Sequence, residues 1–189
     1  MSMTERRKMI AVVGYAHLEE NSPAYCEAQA LGKMLVEHGY RVVTGGLGGV
    51  MEAALRGARS AEGYREGDTV AILPSFDSSA ANPYADIVIA TGTDVYRNAM
   101  VANADAVIAI GGGAGTLSEL AYAWHLCRMI AVYRQFGGWA ASLADQVLDG
   151  RARCSDGEDR LFGISTAEEA LALLRERLDR YTLRPPTLS

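Results

Sequence analysis

Ala106-Val107-Ile108-Ala109-Ile110-Gly111-Gly112-Gly113-Ala114-Gly115-Thr116-Leu117-Ser118-Glu119 decides the fold. A short run apolar on every residue breaks into glycine, and a helical pattern follows at once. Such a run has no polar face to offer water, so it reads as a strand of a parallel sheet covered on both sides. Working outward, the same unit recurs. Residues 9–13 precede Gly14, 40–44 precede Gly45, 69–73 precede Pro74, 86–90 precede Gly92, and 129–133 form a sixth run.

Helical patterns fill the gaps. Ala24, Ala28, Leu31 and Leu35 form one apolar stripe that Pro23 can open and Gly39 can close. Further helices are expected over about 50–60, 94–103, 116–126 and 139–148. A last one begins near Thr166 and buries Ala167, Leu171, Leu174 and Leu178. The alternation predicts an α/β, doubly wound, mostly parallel sheet with helices on both faces, which is Rossmann-like. At 189 residues the expectation is one domain over 1–182 with a loose tail over 183–189.

Composition narrows the function. With 49% hydrophobic and 22% charged residues the chain is neither disordered nor fibrous. No apolar run reaches the ~18 residues of a membrane span, and 9–13 is too short for a signal peptide, so a cytoplasmic protein with no membrane partner is expected. A net charge of −5 without a basic cluster argues against nucleic acid as a partner. Cys26, Cys127 and Cys154 read as reduced thiols. With His17, His38 and His125 they show no metal-ligand spacing, so no metal is expected.

In doubly wound sheets ligands lie beyond the carboxyl ends of the strands, which directs attention to the loops after them. Two are glycine-rich: Gly45-Gly46-Leu47-Gly48-Gly49-Val50-Met51-Glu52, and the run from Gly111 to Glu119. Glycine lets backbone N–H groups approach an anion, and a helix N-terminus adds roughly half a positive charge. Tight turns alone would also explain glycine here, but two such loops on one sheet edge favour anion binding. Neither loop is a Walker A motif, because no Lys follows Gly115. The first strand ends Gly14-Tyr15-Ala16-His17, which is no dinucleotide fingerprint.

Thr116 and Glu119 have capping-box spacing, so Glu119 is either a cap or a site residue; Thr166 and Glu169 have the same spacing and read as a cap. Arg97 at a helix start opposes the dipole, which points to a phosphate or carboxylate partner rather than to a solvent-exposed side chain. Tyr96 and Trp124 read as core or interface aromatics, and Cys127 as a buried small hydrophobe. Glu119, near a helix N-terminus, is expected to have a lowered pKa, which suits charge stabilisation or base work and disfavours a general acid.

The stretch from Ala109 to Glu119 resembles the P-G-G-x-G-T-x-x-E motif of the Lonely Guy family, also labelled "lysine decarboxylase-like". Arg97 falls where that family has the Arg of an Arg-Lys pair, and Gly45 to Met51 matches its earlier glycine segment. The similarity runs over about 10–124. Gly111 replaces the family's Pro and Asn98 its Lys, and Arg97-Asn98-Ala99-Met100 with the run from Ala104 to Ala109 looks more like the molybdenum cofactor carrier branch.

The resemblance implies that Gly14, Gly45, Gly46, Gly48, Gly49, Met51, Arg97, Asn98, Gly111, Gly112, Gly113, Gly115, Thr116 and Glu119 bind a small phosphorylated ligand, either molybdenum cofactor or a nucleoside monophosphate. No cofactor is required for chemistry. The preferred expectation is a carrier. The alternative is a phosphoribohydrolase cleaving the N-glycosidic bond of nucleoside 5′-monophosphates, with Arg97 holding substrate and Glu119 stabilising the cationic sugar or activating water. Lysine decarboxylation has no support. A homo-oligomer, dimer or tetramer, is also implied. Tyr122, Trp124, Leu126 and Met129 agree, as large apolar groups around one helix. The 74–83 segment, with Phe76, Asp77, Ser78, Ser79 and Asn82, is expected to set selectivity.

Overall fold

The computed structural model describes residues 6–155 and 157–181. Seven strands form one sheet: β1 (Met9–Gly14), β2 (Arg41–Thr44), β3 (Thr69–Leu73), β4 (Ile87–Ala90), β5 (Ala106–Ile110), β6 (Met129–Tyr133) and β7 (Phe162–Ile164). Their order is β4-β3-β2-β1-β5-β6-β7, and every neighbouring pair is parallel. The chain builds outward from β1 to β4, then returns to the other side of β1. The strand order therefore reverses between β1 and β5, and there the loops diverge to leave a crevice.

Helices α1 (Pro23–Glu37), α2 (Val50–Arg59) and α6 (Ala167–Arg177) cover one face. Their Leu31, Leu35, Leu55 and Leu174 pack with Ile10, Val12 and Ile108. On the other face lie α3 (Asn98–Ala102), α4 (Ala114–His125) and α5 (Gly138–Ser142), where Val101, Leu120, Trp124 and Ala140 meet Val13, Val107 and Ile130. The expected doubly wound α/β architecture is present, with the sheet wholly parallel.

Local chemistry explains the clearest boundaries. Ser22 caps α1 by accepting the Tyr25 N–H, and Pro23 supplies the first helical residue. At its other end Tyr40 N–H donates to Leu35 and Gly39 N–H to Val36, a Schellman closure. In α6, Thr166 accepts the Glu169 N–H while Glu169 accepts the Ser165 N–H, so the capping reading holds there.

Several expectations need correction. Residues 94–97 form a 3-10 turn before α3. The fifth helix stops at Ser142 rather than 148, because Asp145 adopts φ 62° and its N–H turns to Leu161. Strand β4 is not apolar-covered on both faces: at the sheet edge, Ile87 and Ile89 stay 45% and 46% exposed. Strand β7, interrupted by Gly163, is too short to leave a periodic signal. Trp124 and Met129 are buried within the chain's own core, so they form no partner face. The 183–189 tail, with residue 182, lies outside the described residues.

Helices α1 and α2 touch backbone to backbone. A Cβ at Gly32 would stand 1.9 Å from the Ala54 carbonyl oxygen, and one at Gly57 would stand 1.9 Å from that of Gln29. Helix propensity alone would make Gly32→Ala stabilising by roughly 1 kcal/mol. Overpacking against rigid backbone costs about 1–3 kcal/mol or more and should win. We expect Gly32→Ala to lower the urea midpoint; an unchanged or raised midpoint would contradict this contact.

Candidate functional site

Both glycine loops reach the C-terminal edge of the sheet, and Tyr15 joins them. Its N–H donates to Ile110, its carbonyl accepts the Val50 N–H at 2.9 Å, and its ring lies where a Cβ on Gly111 would fall, 2.0 Å away. Gly49 meets the Tyr15 carbonyl oxygen at 2.2 Å on the same test, and Gly14 meets that of Ile110 at 2.1 Å. These glycines are demanded by close packing. Tyr15 is absent from the expected site residues, since a tyrosine after a strand carries no motif.

Arg97 is buried rather than solvent-exposed. It reaches across the sheet edge to Glu119 on α4, Nη1 to Oε1 at 3.3 Å, with both side chains 8% exposed. Its guanidinium fills the space over Gly45, where a Cβ would lie 2.4 Å from Nη1. Its Nε is buried with no hydrogen-bond partner among the described residues. Beside it, Asn98 donates from Nδ2 to Ser118 Oγ at 2.8 Å, and Ser118 donates to Gly115 O. Asn98 thus fastens the start of α3 to the first turns of α4.

The electrostatics of Glu119 correct the sequence reading. Burial pushes its carboxyl up to about 7, although Arg97 pulls the other way. Burial likewise lowers the Arg97 guanidinium from its usual value, against the opposing pull of Glu119. Glu119 does not gain from the helix dipole because α4 starts at Ala114, which puts Glu119 in the second turn, facing inward. A group that holds or releases a proton near neutrality is open to acid as well as base chemistry.

Thr116 is no cap either. Gly113 holds the N-cap position, and Thr116 Oγ1 instead donates to the Gly14 carbonyl at 3.3 Å. The first helical bond of α4 is Leu117 N–H to Gly113 O, so the N–H groups of Ala114, Gly115 and Thr116 precede the ladder. Among the described residues no side chain caps them. Among the described residues, chain neighbours and the helix's own backbone aside, nothing lies within 4 Å of a Cβ placed at Gly113 or Gly115. Unlike the packing glycines, these two front open space, as a backbone anion cradle requires.

The second loop is less suited to an anion. Its α2 N-terminus spends the Val50 N–H on Tyr15, and Glu52 lies in the first turn. A cavity of about 470 Å³ opens beside it, lined by Ala16, His17, Gly48, Gly49 and Glu52. Gly46 is tied to the following loop, its carbonyl accepting from Asn82 N and Nδ2 at 2.9 and 3.1 Å. Met51 is buried in the core. The structure therefore brings Gly45, Arg97, Asn98 and Glu119 together with the α4 start, while Gly48 and Gly49 face the acidic cavity. Among the described residues no group of His, Cys, Asp and Glu could hold a metal, and no helix is long and apolar enough to cross a membrane.

Comparison with known proteins finds a matching family and similar solved structures. The SLOG cluster4 family matches residues 7–158. The structural-genomics target TM1055 is 34% identical, with TM-score 0.74 over 89% of this chain and 99% of its own. The molybdenum cofactor binding protein of the phototrophic bacterium Rippkaea orientalis is 30% identical, with TM-score 0.70 over 92% and 98%. The molybdenum cofactor carrier protein of Chlamydomonas reinhardtii is 26% identical, with TM-score 0.68 over 90% and 98%.

The raised Glu119 pKa has a consequence for stability. Between the ordinary carboxylate value, 4.5, and about 7, folded Glu119 keeps a proton that the unfolded chain has released. Its contribution is therefore fully favourable below that window and is lost as pH rises through it. Unfolding free energy in urea should fall from pH 5 to pH 8, and Glu119→Gln should fall less, by about 2 kcal/mol. Parallel pH profiles for the two proteins would show that Glu119 is ionised throughout.

Proposed function

This chain belongs to the SLOG cluster4 family, and on that footing we propose that it is a carrier-like protein that binds the phosphorylated pterin of the molybdenum cofactor without turning it over. The observation that carries the reading is the start of α4, where uncapped N–H groups stand behind two glycines that front open space. Likeness to the Rippkaea and Chlamydomonas proteins along nearly the whole chain supports the pterin over other phosphorylated ligands.

The phosphate fits this chain's residues. The N–H groups from Gly112 to Thr116 would receive it, each worth only about 0.3–1 kcal/mol alone, so several must converge. Arg97 supplies the nearby positive charge. Protonation of Glu119 would release that guanidinium toward an incoming phosphate, which makes the pair a partner to binding rather than a bystander. Micromolar retention needs about −8 kcal/mol of ground-state binding, and a carrier needs nothing more.

The Arg97–Glu119 pair also keeps the phosphoribohydrolase reading alive, since Glu119 can exchange a proton near neutrality. One experiment separates the two. Protein purified from cells that make molybdenum cofactor should release a pterin phosphate on denaturation, detected by mass spectrometry. Incubated with AMP, it should liberate no adenine. Steady adenine release by wild type, abolished in Glu119→Gln, would overturn the carrier in favour of the hydrolase.

Self-association belongs to the same proposal. On the α3 face of the sheet, Ile87 and Ile89 of the edge strand β4 and Met100 of α3 are about half exposed. Uncovered apolar surface of this kind favours a second copy. Light scattering at micromolar concentration should give at least twice the 20.2 kDa of one chain. A monomeric mass would count against it.

A further inference from the structure

The loop between β6 and α5 ends at the start of α5, packed against the loop that opens α4. Gly137 and Gly138 follow one another at φ 67° and 61°, a sharp left-handed turn that side chains rarely adopt. A Cβ on Gly138 would stand 2.5 Å from the Gly112 carbonyl oxygen, so the two loops pack glycine on glycine. The next residue, Trp139, donates its N–H to Gly112 O at 3.0 Å, and Ala140 donates to Gly111 O at 3.2 Å. Trp139 is thereby pinned by its backbone to the loop that opens α4.

The chain has two tryptophans, and their situations differ. Trp124 is buried, its Nε1–H bonded to Asp149 and its face covered by the Arg153 guanidinium 3.8 Å from the ring centroid. Trp139 remains 41% exposed. Among the described residues nothing hydrogen-bonds its indole and no ring or guanidinium stacks on it. Two glycines thus hold the Trp139 backbone against the loop that opens α4, and its side chain stays partly exposed. An aromatic face in that position suits a planar heteroaromatic ring whose phosphate lies at the helix start.

We infer that Trp139 is a stacking platform for the ring system of the bound ligand, so that the site recognises a planar heterocycle joined to a phosphate rather than phosphate alone. Phosphate held by the α4 N–H groups would fix one end of the molecule, and the indole the other. The inference rests on the anion cradle proposed above and adds the residue that selects for the ring.

Titration calorimetry with two probes, a pterin monophosphate and inorganic phosphate, tests it on wild type, Trp139→Ala and Trp139→Phe. Trp139→Ala should weaken the pterin monophosphate by about tenfold or more, and Trp139→Phe should recover most of that loss. Inorganic phosphate should bind all three alike, which also shows that the glycine loop has kept its shape. Unchanged pterin monophosphate affinity in Trp139→Ala would overturn the inference while leaving the cradle standing. A parallel loss of phosphate would overturn it too, by making Trp139 a support of the loop. Were Trp139 covered by a second copy instead, Trp139→Ala would lower the mass in light scattering and spare the pterin affinity. Wild type binding neither probe would remove the cradle and this inference together.

Discussion

A positive charge taken out of water at the sheet edge constrains everything around it. The Arg97 guanidinium lies among β2, α3 and α4, and such a group is tolerated only beside an opposite charge or a dense set of acceptors. Glu119 provides the charge. Gly45 provides the room, since any side chain there would occupy the place of Nη1 and Nη2. One ion pair therefore ties the loop after β2, the turn before α3 and the second turn of α4 into a single arrangement. Burial of the pair accounts for the high pKa of Glu119: it costs the carboxylate more than one guanidinium at 3.3 Å returns.

Around that pair the glycines divide by what faces them. Gly14, Gly49 and Gly111 are pressed against backbone or the Tyr15 ring, and they let the β1, β2 and β5 loops close on one another. A Cβ at Gly113 or Gly115 would meet nothing among the described residues beyond their own helix. The first group makes the edge rigid, and the second leaves the start of α4 accessible. Rigidity and access at one place are what a ground-state binder needs, because preorganised N–H groups lose little entropy when an anion arrives.

The structure away from the site spends its polar groups differently. Arg153 is fully buried, with its guanidinium against Trp124, an ion pair to Asp159 at 2.6 Å and Nε donating to Trp124 O at 2.9 Å. That arginine is saturated by its neighbours and fastens the segment after α5 to the body of the sheet. Among the described residues Arg97 keeps an unpartnered Nε and has a single ion-pair partner. Of these two buried arginines, Arg97 is the one with bonding capacity to spare.

The alternation of apolar runs with helical stripes was legible because each strand of a parallel sheet is buried on both faces and each helix on one. Local chemistry was equally legible where it closes within a few residues, as at Ser22 with Pro23 or at Thr166 with Glu169. The same spacing at Thr116 and Glu119 misled, and the cause lies outside the segment. Gly113 let α4 start two residues early, the Gly14 carbonyl took the Thr116 hydroxyl, and Arg97 took Glu119. Tyr15 and Trp139 carry no motif at all; they matter through Gly111 and Gly112, which are distant in sequence and adjacent in space. The sequence by itself determined the layered fold and the edge where the glycine loops gather, because burial periodicity and turn chemistry are local. Tertiary structure alone decided which of those glycines face open space and what charge Glu119 carries, because both depend on groups that only the closed sheet brings together.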